Sequence, residues 1–390
     1  MTNKARIPRG IWALGFVSLL MDVSSELIHS LLPLFMLTVL GMSALTIGLI
    51  EGAAEATALI VKVFSGALSD HGGRRKPLAL LGYGLGALSK PLFALAGGAG
   101  LIVTARLIDR VGKGIRGAPR DALIADLAPP AVRGAAFGLR QALDSVGAFL
   151  GPLLAIALML LWANDFRAVF WVAVIPAFLA VALLLFGVRE PGRAPGAPRV
   201  NPIRMENLRR LGRAYWGVVG IGALFMLARF SEAFLILRAH QLGMPLAYTP
   251  LVLIGMNLVY ASCAYPFGKL SDSIRRSTLL ALGLAVLIAA DLALARPHAG
   301  WFAVGVALWG LHMGMTQGLL AAMVADTVPA DLRGTAFGFF NLASGCALFI
   351  ASALAGLLWD GLGAPATFIA GAVFSAVALA GLLLSQRRRG

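Results

Sequence analysis

This chain of 390 residues has little charge. Asp, Glu, Lys and Arg together make up 13% of it, about half the share found in an ordinary soluble domain. That excludes a soluble globular enzyme. Acidic residues are the scarcer kind: 18 Asp and Glu stand against 33 Lys and Arg, for a formal net charge of +15. Nucleic-acid binders are also basic, but they carry their charge as patches on a soluble module. Cysteine is nearly absent. The two present, Cys263 and Cys346, cannot build a disulfide framework or a zinc site; both sit in apolar runs and read as buried small residues. Segments of about ten residues with alternating polarity, the mark of a membrane β-barrel, are missing too. So is a GxxxxGK[ST] loop, which leaves ATP hydrolysis in this chain unsupported. Gly112, Gly114 and Gly117 in GKGIRG satisfy G-x-G-x-x-G literally, but they fall inside an apolar span with no strand before them, and the dinucleotide reading is rejected. No cofactor and no metal ion is expected.

What the chain has instead is apolar length. Hydrophobic residues make up 59% and the mean hydropathy is +0.85. These residues form runs of the ~20 residues that cross ~30 Å of hydrocarbon as helix. Turn punctuation predicts twelve helices, near 11–40, 44–69, 77–97, 100–127, 134–162, 167–187, 213–241, 247–271, 277–295, 300–327, 335–361 and 363–385. The first run follows Lys4, Arg6 and Arg9; it is too long for a signal-peptide core and lacks a small-residue cleavage pattern, so it stays as a span. Basic residues in short loops mark the cytoplasmic side. They gather in one set of connections: Arg74, Arg75 and Lys76, then Arg133, the 189–213 segment, Arg275, Arg276 and Arg333, and the tail Arg387, Arg388 and Arg389, with only Arg167 and Arg296 in the other set. Both termini and the central loop are therefore expected in the cytoplasm of a bacterial cell, with the protein in its inner membrane.

The chain also repeats itself. ADLAPPAVRGAAFG from Ala125 matches ADTVPADLRGTAFG from Ala325, and GALSDHGGRR from Gly66 matches GKLSDSIRR from Gly268. The offsets agree within two residues, which implies duplication of a six-helix unit. The expected domains are 1–188, a cytoplasmic linker at 189–212, and 213–390.

These residues resemble the major facilitator superfamily of secondary transporters, and the resemblance covers essentially the whole chain. The family's loop signature between helices 2 and 3 is present as Gly66, Asp70, Gly73, Arg74 and Arg75, and the second copy keeps Gly268, Asp272, Arg275 and Arg276. In the family this loop latches the cytoplasmic side of the outward-open state. The fourth span resembles the helix-4 signature at Arg106 but places Arg110 and Lys113 where small residues are usual. The fifth reads Gly147, Gly151, Pro152, Ala155, similar to the antiporter signature, although Gly and Pro at this spacing also simply let membrane helices pack closely. The implied fold is all-α, with twelve transmembrane helices in two pseudo-symmetric six-helix bundles and a site between them.

Ionisable residues at bilayer depth are costly unless paired or wet, so each is a functional candidate. Helix 1 carries Asp22, Ser25, Glu26 and His29 on one face, and helix 2 carries Glu51, Glu55 and Lys62 on one stripe. Asp22, Glu26, Glu51 and Glu55 are the expected proton carriers; the bland alternative is that they only lock helices together. Lys90 is expected to pair with Glu26, Glu51 or Glu55, or to touch substrate. On helix 4, Arg106, Asp109, Arg110, Lys113, Arg116, Arg120 and Asp121 project within an arc of roughly 140°. Lys90, Arg106, Asp109, Arg110, Lys113 and Arg116 are the candidate substrate contacts in this half, Arg being suited to bidentate recognition of carboxylate or phosphate. Internal neutralisation by the acids of helices 1 and 2 is the alternative. Glu232, Trp309, His312 and Gln317 are the candidates in the other half, with Arg238 and His240 expected at the outer interface. Gate elements are Gly66, Asp70, Arg74, Arg75, Arg120, Arg140, Asp144, Gly268, Asp272 and Arg275. The function expected is proton-coupled transport of an anionic or zwitterionic organic solute by alternating access, by a monomer that binds solute, protons and membrane lipid, with no nucleic acid and no catalysis. A drug-proton antiporter and a sodium-coupled symporter, the latter using Glu55 and Asp109, remain open.

Overall fold

The computed structural model describes residues 7–72, 75–129, 132–190, 210–271, 273–316, 318–329 and 332–387. Among them every regular element is helical. Hydrocarbon offers no partner for backbone N–H and C=O groups, and only a helix satisfies them within one segment. Span 1 is Arg9–Val39, span 2 begins at Ala44, and spans 3 to 6 are Arg75–Leu95, Ala99–Leu127, Arg133–Leu161 and Phe166–Gly187. Span 7 is Arg213–Gln241, span 8 Leu246–Leu270, span 9 Arg276–Leu294, span 10 the helices Ala299–Thr316 and Leu319–Thr327, span 11 Arg333–Leu362 and span 12 Ala364–Arg387. Ten of these are long and apolar enough to cross a membrane. The other two are span 4, with its row of charges, and span 10, which is interrupted.

Three spans that read as continuous are broken. Span 1 stops at His29 and resumes at Leu32 before a π-helical turn at Phe35–Val39; Pro33 has no N–H to give the His29 carbonyl. Span 7 is open from Arg229 to Glu232. Span 10 resumes after Gly318, whose φ of +72° is a left-handed conformation that glycine adopts without a Cβ penalty.

The chain forms two compact units, one of residues 1–32 and 57–201, the other of residues 33–56 and 202–390. In the first, span 3 packs on span 4, span 1 on spans 5 and 6, and span 3 on span 6. In the second, span 9 packs on span 10, span 7 on spans 11 and 12, and span 9 on span 12. These four pairings correspond between the units, as expected for a duplicated unit, and in the second unit span 8 also packs on span 10. Each unit has its own apolar core, around Leu14, Tyr83, Leu123 and Leu184 in the first and Tyr215, Leu280, Val324 and Phe340 in the second. The first half of span 2 belongs to the second unit. There Gly52 lies so close to span 11 that a Cβ would fall 2.9 Å from Ser352 Cβ, and Asp360 accepts hydrogen bonds from the N–H groups of Ala44 (3.1 Å) and Leu45 (2.8 Å). The cysteine reading needs correction: Cys263 is half-buried and Cys346 exposed.

Candidate functional site

Close helix packing sets the frame for the embedded charges. Gly82 and Gly112 bring span 3 against span 4: a Cβ on Gly112 would lie 2.6 Å from the Gly82 carbonyl and 2.9 Å from Gly86 N. Gly114 faces span 2, where a Cβ would meet Val61 at 2.7 Å. The literal G-x-G-x-x-G is thus two packing contacts and an open Gly117. Gly147 and Gly151 of span 5 sit on span 1, their would-be Cβ atoms 3.0 Å from Asp22 Cβ and 2.7 Å from Glu26 Cβ. The antiporter-like glycines press on two of the four residues read as proton carriers.

Against this frame the charges of the first unit fall into three groups. Lys90 donates to Asp109 Oδ1 at 2.7 Å and to Ser25 Oγ at 3.0 Å, and the Lys90 and Asp109 side chains are 1% and 5% exposed. Arg110 Nε lies 3.6 Å from the other Asp109 oxygen, and Arg106 is buried nearby on the same helix. The acid that answers Lys90 is therefore in span 4. Asp22 lies 3.7 Å from Arg116 Nη2, a looser pair in which the Asp22 side chain is 27% exposed; Arg116 also lies over the Tyr83 ring at 4.9 Å. Glu26, 24% exposed at its side chain, sits 3.5 Å from His29 Nδ1. Lys113 is exposed on span 4. The helix-4 arc is consequently dry at Arg106, Asp109, Arg110 and Arg116 and opens at Lys113.

The third group joins spans 1, 4 and 5. Arg120 donates to Asp121 (3.0 Å) and Ser18 (3.1 Å) and lies 4.0 Å from Asp144; Arg140 pairs with Asp144 and lies 3.9 Å from Asp121. Cations and anions alternate around this ring. Further along, Arg75 donates to the Ala122 carbonyl at 2.7 Å and pairs with Asp126, while its backbone N–H gives a hydrogen bond to Glu190 at 2.5 Å. In the second unit Arg276 pairs with Asp326 at the equivalent repeat position. Sequence reasoning passed over Asp126 and Asp326, although each is the second residue of a repeated motif, and that recurrence was the available signal. Gly66 lies near Ala118, where a Cβ would be 3.7 Å from that of Ala118, and Gly268 and Arg275 flank the turn before span 9. Asp70 falls in the last turn of span 2; its side chain, with Arg74, Asp272 and Gln317, lies outside the described residues.

In the second unit Glu51 is fully buried and Glu55 half-buried on span 2. Glu232 lies 3.9 Å from Arg229 in the break of span 7. Trp309 and His312 are fully buried, the indole against Phe230 (5.4 Å between rings) and His312 donating from Nδ1 to the Gly283 carbonyl at 2.9 Å. Arg238, expected at an interface, is buried and donates to the carbonyls of Leu294 (3.1 Å), Ala295 (3.3 Å) and Arg296 (3.0 Å) and to Gln241 (2.8 Å). It caps the C-terminus of span 9, where orphan carbonyls and the helix dipole favour a cation.

No group of three or more metal-ligating side chains occurs among the described residues. Paired charges held at membrane depth within a duplicated six-span unit define a polytopic membrane carrier. The sequence profile of the Major Facilitator Superfamily matches residues 14–256 and 218–390, and the chain belongs to that family, whose members are carriers and not enzymes. It is 33% identical to the uncharacterized MFS-type transporter MJ1317 of Methanocaldococcus jannaschii, over 98% of this chain and 96% of that protein. It is 30% identical to the multidrug resistance protein MdtH of Photorhabdus laumondii, over 42% of this chain and 39% of that one. The crystal structure of a point mutant of the nucleoside transporter NupG superposes with a TM-score of 0.79 at 12% identity, covering 96% of this chain and 99% of the other; that likeness concerns the fold.

Proposed function

We propose that this carrier is a proton-coupled secondary active transporter of a small anionic or zwitterionic organic solute. It lies in the bacterial cytoplasmic membrane with both termini in the cytoplasm and works by alternating access. The observation that supports this reading best is the contrast between two ion pairs of the first unit. Lys90 and Asp109 are dry and tightly bonded, as a structural pair should be. Asp22 is partly exposed and only loosely held by Arg116, so a proton can reach it. At 3.7 Å the attraction in a medium of intermediate dielectric is about 4 kcal/mol, less where water screens it. A proton on Asp22 cancels that attraction, and every 1.4 kcal/mol removed shifts an equilibrium about tenfold. Glu26, one turn along and also open, carries the second proton. Lys113, exposed on the same helix that holds Arg110 and Arg116, supplies the cation for a carboxylate or phosphate of the solute.

One observation favours a drug exporter instead: the partial similarity to the multidrug resistance protein MdtH. A thermal-shift screen of the purified protein against acidic metabolites, amino acids and cationic drugs separates the two. Stabilisation by an acidic or zwitterionic compound, lost in Lys113→Ala, is the expected result. Stabilisation by cationic drugs alone would overturn the anion reading.

A further inference from the structure

The duplication lets each buried group of one half be compared with its counterpart in the other. Span 3 starts at Arg75 and span 9 at Arg276, so Lys90 corresponds to Asp291; span 4 starts at Ala99 and span 10 at Ala299, so Asp109 corresponds to Trp309. In the first unit these two positions hold a bonded ion pair. In the second they hold a carboxyl and an indole, both 0% exposed, and neither the Asp291 oxygens nor Trp309 Nε1 has a hydrogen-bond partner among the described residues.

Asp291 faces span 12. A Cβ on Gly371 would fall 2.7 Å from Asp291 Oδ2 and 3.0 Å from Phe230 Cε1. Phe230 in turn lies 5.4 Å from Trp309 and 5.6 Å from Phe368, ring to ring. The charged and titratable groups of the surrounding elements are engaged elsewhere. On span 10, His312 is bonded to Gly283 and Asp326 is paired with Arg276; in the break of span 7, Arg229 lies beside Glu232; Arg238 caps the end of span 9. Span 12 has no charged residue before Arg387 at its end. An ionised carboxylate without a counter-charge costs several kcal/mol in such surroundings. A hard metal cation needs several oxygen ligands, and the site has one carboxyl. An organic cation needs room, and the Asp291 carboxyl is 0% exposed and lies so close to the Gly371 backbone that not even a Cβ would fit between them. What fits is a proton.

We propose that Asp291 is a proton-binding site of the second unit. Sealed against Gly371 it is the neutral acid; only where water reaches it can the O–H bond break, the proton pass to water and the carboxylate remain. This deepens the proton-coupled reading by adding a site remote from Asp22 and Glu26.

The test is an infrared spectrum of the full chain in lipid nanodiscs at neutral pH, wild type minus Asp291→Asn. The expected difference is one carbonyl stretch of a protonated carboxyl per chain, moving to lower frequency in D2O. Absence of that band overturns the proposal. Asparagine has the shape of the neutral acid, so Asp291→Asn should fold with an unchanged melting temperature. Removing an ionised carboxylate that has no counter-charge would stabilise the fold, so a large rise in melting temperature in Asp291→Asn would mean that an ionised group had been removed and would equally overturn it; Asp291→Leu serves the same difference spectrum should Asp291→Asn not fold. Neither readout needs a transported solute, so the outcome is independent of whether Asp22 and Glu26 couple transport.

Discussion

A carboxylate at membrane depth stays ionised only while something positive remains beside it, and the first unit meets that condition in two ways. Asp109 sits between Lys90 and Arg110 with almost no water. Breaking such a pair strands a buried charge, at a cost of about 3–5 kcal/mol. Lys90→Met is therefore expected to lower the melting temperature sharply, and Lys90→Met with Asp109→Leu to recover most of the loss; equal melting temperatures for wild type and Lys90→Met would show that the pair carries no stability. Asp22 differs because it is partly exposed and its partner is distant by ion-pair standards. Asp22→Asn should fold and melt as the wild type does, yet respond differently to pH in transport. Which of the embedded charges would prove structural was not legible in the sequence. Asp109 and Asp22 lie on faces that helical periodicity predicts to be polar and Lys90 stands alone in its span, and only side-chain distance and burial distinguish a dry pair from a wet one.

At the scale of the helices, the twelve spans could be read from the sequence because hydrocarbon demands long apolar runs. The breaks in spans 1, 7 and 10 could not. Each interrupts an apolar stretch that hydropathy reads as unbroken, and only Pro33 and Gly318 carry a local reason. The seams between spans rest on glycine. Gly151→Leu would drive a side chain into Glu26 and the Val23 carbonyl, which already lies 2.9 Å from a would-be Cβ. It is expected to separate spans 1 and 5 and abolish transport while Gly117→Ala, with open space around it, leaves transport intact; flux assays on both variants check this. Asp360 caps the first turn of span 2, a contact worth about 1 kcal/mol. Asp360→Ala should weaken that seam, seen as faster hydrogen exchange at Ala44 and Leu45; unchanged exchange would show that the cap is dispensable.

For the whole molecule, the two sequence repeats foretold more than a shared ancestry. The same helix pairings and the Arg75–Asp126 and Arg276–Asp326 pairs recur in both units, while the buried charges do not. The first unit holds bonded cations and anions; the second holds Asp291 with no hydrogen-bond partner among the described residues. Divergence of that kind is where a duplicated unit takes on separate tasks, and it explains why composition alone, with its net +15, pointed to topology and not to chemistry. In the proposed function, protons enter at Asp22 and Glu26 and drive the movement of solute. Its most direct test is proteoliposome flux of whichever solute stabilises the protein in the thermal-shift screen, with a pH-sensitive dye inside. Wild type should show solute movement that depends on an imposed pH gradient, with accompanying proton flux, and Asp22→Asn with Glu26→Gln should lose at least tenfold of the gradient-driven component while still exchanging solute. Full gradient-driven transport in that double variant would contradict the account.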